Sequence, residues 1–459
     1  MTASLRPLPG RVTLAAGAFD LARLGYTEQE FLLTGTADSY ELAGPRTPDG
    51  QWSVRPASRA PFTTRVVVRQ PADRGSFSGT VLVEWLNVSG GLDAAPDWMM
   101  AHTELIRSGH AWAGISAQRA GIEGGGLVPG LHLKKSHPAR YAELSHPGDA
   151  WAFDIFSQAG HALRASPGVL PEPVSARPLR MLAGGQSQSA AFLVTYINGI
   201  DPLAAVYDGF LVHGRTGSGA ALDTGFRPGA STTGVGERIR ADLRVPVLVL
   251  QTETDVVLLG SGLVQQQDHD LLRNWELAGA AHADTYLLFA SGQDDGHLPP
   301  ARLAELLRPT TSIVMGQTES PINSGPQHHY LACAAIAQLD AWVAGRGVPP
   351  AAPRLDVAPS GRDLMRDELG GATGGIRTPW SDVPVAILSG TGQKGELFAF
   401  LFGTTRSLTE ADLARLYPGG RADYLGRFQL SLEAAIRAGF LLPADRAEII
   451  AVAGAAWPA

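Results

Sequence analysis

A serine among very small neighbours, a later carboxylate and a histidine beyond it could together activate a hydroxyl for attack on a carbonyl. Gly185-Gln186-Ser187-Gln188-Ser189 closes the apolar run Leu179–Gly184, and an apolar stretch of helical length follows from Ala190 to Ile197. A strand that turns sharply through tiny residues into a helix is the setting of a G-x-S-x-G nucleophile elbow. The turn strains the serine backbone and exposes its hydroxyl. Small residues two before and two after are needed, because larger side chains would collide with strand and helix. Here the second of them is Ser189 instead of glycine. Without that chemistry the segment is a Gly/Ser turn at a strand end.

A serine hydroxyl is a weak nucleophile unless a histidine takes its proton and a carboxylate orients that histidine. The buried-strand pattern Val245–Gln251 is followed by Thr252-Glu253-Thr254-Asp255, and the next strand, Arg273–Leu277, by Ala278-Gly279-Ala280-Ala281-His282-Ala283-Asp284. Both groups therefore fall at the carboxyl ends of successive strands, where an open α/β sheet builds its site. Asp255 has the usual offset for the acid, with Glu253 the alternative. Either could equally be a solvated turn carboxylate. His282 is the candidate base. His297 is a rival that needs a longer loop, and His328-His329 opens a helix, which suits capping or packing. Acyl transfer also needs two N–H groups facing the oxyanion; losing one costs about 2.7–4 kcal/mol of barrier. The candidates are Gln188, which follows the serine, and Asn87 or Val88, after the strand Gly79–Val88. Gly90-Gly91 would let that loop approach the substrate.

The elements that must hold these residues alternate. Phe31–Leu42, Thr63–Val68, Gly79–Val88, Ala111–Ser116, Tyr207–Val212, Val245–Gln251 and Leu271–Leu277 read as strands. Pro96–Ser108, Gly148–Arg164 and His328–Ala344 read as helices. That order predicts an α/β protein with a mostly parallel sheet covered on both faces. A Pro/Ala-rich stretch, Val348–Pro353, then separates residues 1–353, with a catalytic core of about 62–348, from a C-terminal extension at 354–459. The extension is loop-rich to Gly395 and more helical afterwards, and would pack on or cap the rest.

The 459 residues are 44% hydrophobic and 18% charged, which is globular composition. A net charge of -7 without a Lys/Arg run argues against nucleic acid or an anionic membrane as partner. No apolar run approaches the roughly 18 residues of a membrane span. The single Cys333 cannot form an internal disulfide, which fits a reducing compartment. Val12–Ala18 after Arg6 and Arg11 imitates a weak signal peptide, so the expectation is cytoplasmic, with secretion the alternative.

Taken together, several segments resemble the bacterial family known as "alpha/beta hydrolase domain" proteins, a branch of the α/β-hydrolase superfamily. They are Leu24–Phe31, Val83–Gly91, Gly184–Ser189, Gln251–Asp255, Trp275–Asp284 and Gly374–Trp380. The resemblance implies the α/β-hydrolase fold, a triad of Ser187, His282 and Asp255 or Glu253, and a C-terminal extension belonging to the same unit. It implies no substrate. The expected activity is cleavage of a small-molecule carboxylic ester through an acyl-serine, with no metal or organic cofactor. Lactone opening, amide cleavage and acyl transfer use the same residues, and a catalytically silent fold used for binding is the reading from another class.

Two other motifs compete. Gly390-Thr391-Gly392-Gln393-Lys394-Gly395 spells G-x-G-x-x-G after a strand-like run, but too late in the chain for a dinucleotide unit; a Gly-rich turn is the plain reading. His132, His137 and His146 lack the paired helical spacing of metal ligands. Trp85, Trp98, Trp112 and Trp151 read as core.

Overall fold

In the computed structural model, residues 3–17, 19–171, 178–223, 236–313, 316–361, 363–395 and 398–458 are described. Nine strands make one sheet: β1 (Ser4–Pro7), β2 (Tyr26–Leu42), β3 (Val54–Pro71), β4 (Thr80–Trp85), β5 (Ala111–Ile115), β6 (Arg180–Gln186), β7 (Gly209–His213), β8 (Val247–Thr252) and β9 (Leu272–Leu277). Their spatial order is β1-β2-β3-β5-β4-β6-β7-β8-β9. The run from β5 to β9 is parallel, and β1, β2 and β3 extend it antiparallel. This is the α/β-hydrolase arrangement that the motifs implied.

Alternation along the strands feeds two cores. Val81, Val83, Met181, Ala183, Phe210, Val212, Val247 and Val249 face one side, where the helices Ala152–Ala165 and Gln188–Thr195 pack. Leu82, Leu182, Leu211, Leu248 and Leu250 face the other, under the helices Pro96–Arg107 and Gln327–Val343. Parallel strands buried on both faces read as nearly continuous apolar runs, which is why they were visible in sequence. Trp85, Trp98 and Trp112 are fully buried in these cores.

Three boundaries differ from the sequence expectation. The expected strands Phe31–Leu42 and Thr63–Val68 are parts of a long hairpin, Tyr26 pairing with Pro71 and Leu42 with Val54. Its outer parts are polar and solvent-facing, so backbone pairing extends them beyond the apolar pattern. The strand expected over Gly79–Val88 stops at Trp85, because Asn87 and Ala94 bond to each other across a short loop instead. The elbow helix begins at Gln188, directly after the serine.

The chain from 354 onward touches the sheet at several points. The Leu355 N–H donates to Glu276 Oε2 (2.8 Å), and Ile376 pairs with Leu277 at the β9 edge. The helices Gly420–Arg437 and Arg446–Ala456 build a third core around Trp380, Tyr424 and Phe428, which includes Tyr330 of Gln327–Val343. At the other end, Ala15 pairs with Ala94, so the Val12–Gly17 segment lies beside the loop after β4. No helix among the described residues is long and apolar enough to cross a membrane.

Candidate active site

β4 and β6 are neighbours, with β5 beyond one and β7 beyond the other. The strand order reverses between them, and such a switch point opens a crevice at the carboxyl ends. Ser187 follows β6 there, and the loop after β4 faces it.

Ser187 holds φ 64° and ψ -120°, one of two described non-glycine residues at positive φ. Such strain costs on the order of 1–3 kcal/mol and persists only where the surroundings enforce it. Here the Ser187 N–H donates to the His213 carbonyl at 2.9 Å, and the Ser187 carbonyl accepts from Ala191. The flanking glycines have separate jobs. A Cβ on Gly185 would lie 3.1 Å from the Ser189 Cβ, and one on Gly184 would lie 3.0 Å from Asp97 Oδ2. A side chain at Gly185 would crowd the elbow helix, and one at Gly184 would crowd the helix Pro96–Arg107.

The structure brings Ser187, His282 and Asp255 together. The half-buried Ser187 hydroxyl donates to His282 Nε2 at 2.8 Å, and His282 Nδ1 donates to Asp255 Oδ1 at 2.5 Å. Asp255 is held by its own turn. Its Oδ2 accepts from the Thr252 N–H (2.7 Å) and the Thr252 hydroxyl (2.8 Å), a capping box that starts the helix Glu253–Val257. One oxygen is thereby saturated and the other aimed at the imidazole. Burial alone would raise the Asp255 carboxyl, but the adjacent His282 and the Thr252 bonds outweigh it and hold the pKa below its ordinary value. Gln186 Nε2 also reaches His282, at 3.2 Å from Nε2 and 3.4 Å from its carbonyl oxygen. An amide N–H directed at Nε2 matches an imidazole protonated at Nδ1.

Glu253, the alternative acid, serves elsewhere. Its carboxylate accepts from the N–H groups of Gly279 (2.6 Å) and Gly390 (2.8 Å) and from the Ser389 hydroxyl (3.0 Å). Of the loop donors, the Asn87 N–H is already committed to the Ala94 carbonyl at 2.9 Å, which corrects its candidacy. The Asn87 side chain instead braces the loop, donating to the Gln186 carbonyl at 3.1 Å and accepting from the Ser89 N–H. The Val88 N–H meets only the Gln188 side-chain oxygen, at 3.4 Å. The Gln188 N–H is the first of its helix and has no intrahelical acceptor. The loop itself is fixed by the fully buried pair Arg65–Asp93 at 2.6 Å.

His297 is exposed beside Asp295. His328 and His329 are buried in the first turn of Gln327–Val343. His146 is buried on the Ala117 carbonyl (2.9 Å), while His137 is exposed. Among the described residues no group of three His, Cys, Asp or Glu is arranged to hold a metal ion. The G-x-G-x-x-G run begins with Gly390 pressed onto the acid turn, where a Cβ would lie 2.3 Å from the Ala280 carbonyl oxygen. That glycine makes a close backbone approach and no phosphate loop.

Sequence reading missed Gln186, Thr252 and Thr254 as site residues. For Thr252 a signal existed: Thr followed three residues later by Asp is a capping-box pattern.

Residues 4–451 match the family described as alpha/beta hydrolase domain. The chain belongs to that family. No curated protein matches it. Solved structures that resemble this hydrolase are distant. Esterases from the fungus Rhizomucor miehei share 10% identity at a TM-score of 0.33, covering 68% of this chain and 86% of theirs. A serine hydrolase without a lid from Xanthomonas campestris shares 13% at 0.28, covering 53% and 82%. A serine hydrolase homologue from Coxiella burnetii shares 10% at 0.29, covering 48% and 84%.

Proposed function

We propose that this hydrolase cleaves a carboxylic ester through a covalent acyl-serine. The observation carrying the reading is the unbroken chain Ser187 Oγ, His282 Nε2, His282 Nδ1, Asp255 Oδ1, with links of 2.8 and 2.5 Å. As Ser187 Oγ bonds to the ester carbonyl carbon, its proton passes to His282 Nε2. Asp255 holds the resulting imidazolium. The carbonyl oxygen becomes an oxyanion, facing the N–H groups of Gln188 and Val88; the Gln188 side-chain oxygen gives up its contact with Val88 to admit it. The ester C–O bond then breaks, and the proton on Nε2 goes to the leaving alkoxide, releasing an alcohol. Water loses a proton to Nε2, its oxygen adds to the acyl carbon, and collapse returns the proton to Ser187 Oγ as the acid departs.

The test is intact mass after incubation with a fluorophosphonate, which phosphonylates an activated serine with loss of fluoride. Wild type should gain one adduct and Ser187→Ala none. An ester and an amide of one acyl group, compared on the labelled-competent protein, then separate ester cleavage from amide cleavage. No adduct on either protein, with a smaller probe also failing to label, would make the binding-module reading the leading one.

A further inference from the structure

Behind the triad lies a second chain of buried polar groups that the reaction above does not use. His213 closes β7, and its Nδ1 lies 2.7 Å from Asp97 Oδ1. Its Nε2 lies 2.7 Å from Nε2 of His328, with the two rings near perpendicular at 85°. Nδ1 of His328 is 3.8 Å from Asp284 Oδ2, two residues past His282. All four side chains are 2% exposed or less. Two of their polar atoms, Asp97 Oδ2 and Asp284 Oδ2, have no hydrogen-bond partner among the described residues. Leaving buried polar atoms unpaired is expensive, which marks these two carboxylates as the strained ends of the chain.

Two imidazole nitrogens at 2.7 Å must share one proton, because two N–H groups or two bare lone pairs would repel. Burial lowers the pKa of His213 to about 4 and that of His328 well below its ordinary value, so both rings are neutral near pH 7. Burial also raises both Asp97 and Asp284 to about 7. The shared proton has two arrangements: His328 Nε2–H to His213 Nε2 with His213 Nδ1–H to an ionised Asp97, or the reverse, with a protonated Asp97 donating to His213 Nδ1 and His328 Nδ1–H directed at the Ala281 carbonyl.

The chain ties together the parts that set the triad. The His213 carbonyl accepts the Ser187 N–H at 2.9 Å, so its position bears on the strained elbow. Gly214, at φ 60°, lies against the imidazole; a Cβ there would sit 3.1 Å from the His282 ring and 3.4 Å from Asp255 Oδ1. The other end, Asp284, is in the His282 loop. We propose that His213 and His328 are positioning residues, a proton-sharing imidazole pair that sets the Ser187 elbow against the His282 loop. The inference rests on the serine-hydrolase reading.

The rate of fluorophosphonate labelling of the full chain tests it. A glutamine at 328 can place a polar atom where Nε2 stands, whereas an asparagine reaches only as far as Nδ1. His328→Gln should label within threefold of wild type. His328→Asn should lose at least tenfold in maximal labelling rate, with the half-saturating probe concentration changed less than twofold. Independently of any variant, wild type labelled with 15N-histidine should show scalar coupling between the two ring nitrogens across the shared proton. Equal rates for the two variants, a glutamine as slow as the asparagine, or uncoupled nitrogens would overturn the inference while a labelled wild type leaves the hydrolase reading intact. A wild type that takes no label would overturn both.

Discussion

The Thr254 hydroxyl donates to the Gly390 carbonyl at 2.6 Å and accepts from the His282 N–H at 3.1 Å. One side chain therefore joins the acid turn, the histidine loop and a segment from the last quarter of the chain. Thr254→Val keeps the shape and removes both bonds, leaving a buried N–H and a buried carbonyl unpaired. The expected loss is roughly 1–3 kcal/mol, read from the denaturant midpoint. Amide exchange at Gly279–Ala283 and Ser389–Gly395 should speed up together. Unchanged exchange at either segment would show that the bond does not couple them.

Asp255 and Glu253 separate by mutation. In Asp255→Asn, the two Thr252 donors demand the amide oxygen, which turns the NH2 group toward His282 Nδ1. The imidazole is then driven to carry its proton on Nε2, where it cannot accept one from serine. Turnover should fall roughly 10³–10⁴-fold, as in other triads given the wrong tautomer, while stability changes little. Glu253→Gln should behave oppositely, losing stability because its NH2 faces donors, yet keeping turnover within about threefold. The reverse pattern in ester hydrolysis and thermal melts would exchange the roles of the two acids.

Gly185→Ala tests the steric account of the elbow. The new methyl would sit 3.1 Å from the Leu193 Cδ1 and 3.2 Å from the Ser189 carbonyl carbon, and overpacking of this kind costs about 1–3 kcal/mol. Urea unfolding should show that loss, with labelling of Ser187 slowed at least tenfold. A variant as stable and as reactive as wild type would mean the helix can shift without cost.

His110 gives a pH signature away from the site. It is buried against Ser78 Oγ (2.7 Å), and burial lowers its pKa to about 4. The unfolded chain takes up a proton near pH 6.5 and the native state only near 4, so stability rises with pH across that window and is lost on acidification. The contribution is about 3 kcal/mol between pH 7 and 4. The stability difference between wild type and His110→Gln should therefore shift by that amount in favour of the variant as pH falls. A pH-independent difference would place the native proton uptake near its ordinary value.

The elbow, the α/β order and the strand-end positions of Asp255 and His282 could be read from the sequence because their constraints are local. Gly185 and Ser189 answer a clash within five residues, and parallel strands buried on both faces leave continuous apolar runs such as Val247–Leu250. Local signals do not report which way a side chain turns. Glu253 and Asp255 both follow a strand, and only the Thr252 cap and the approach of Gly390 assign each carboxylate its partners. Asn87 and Val88 are equivalent in the sequence, and only the pairing of Asn87 with Ala94 across the loop separates them.

The sequence by itself determined the sharp turn at Ser187, the fold class and a short set of candidate acids and bases, since each follows from spacing along the chain. Only the tertiary structure decided that the Asn87 N–H is committed to Ala94, what the run from Gly390 to Gly395 packs against, and that Asp97, His213 and His328 meet. Those three residues come from separate elements spread over more than two hundred positions, and they share a proton network because the sheet order sets their strand and helix ends side by side.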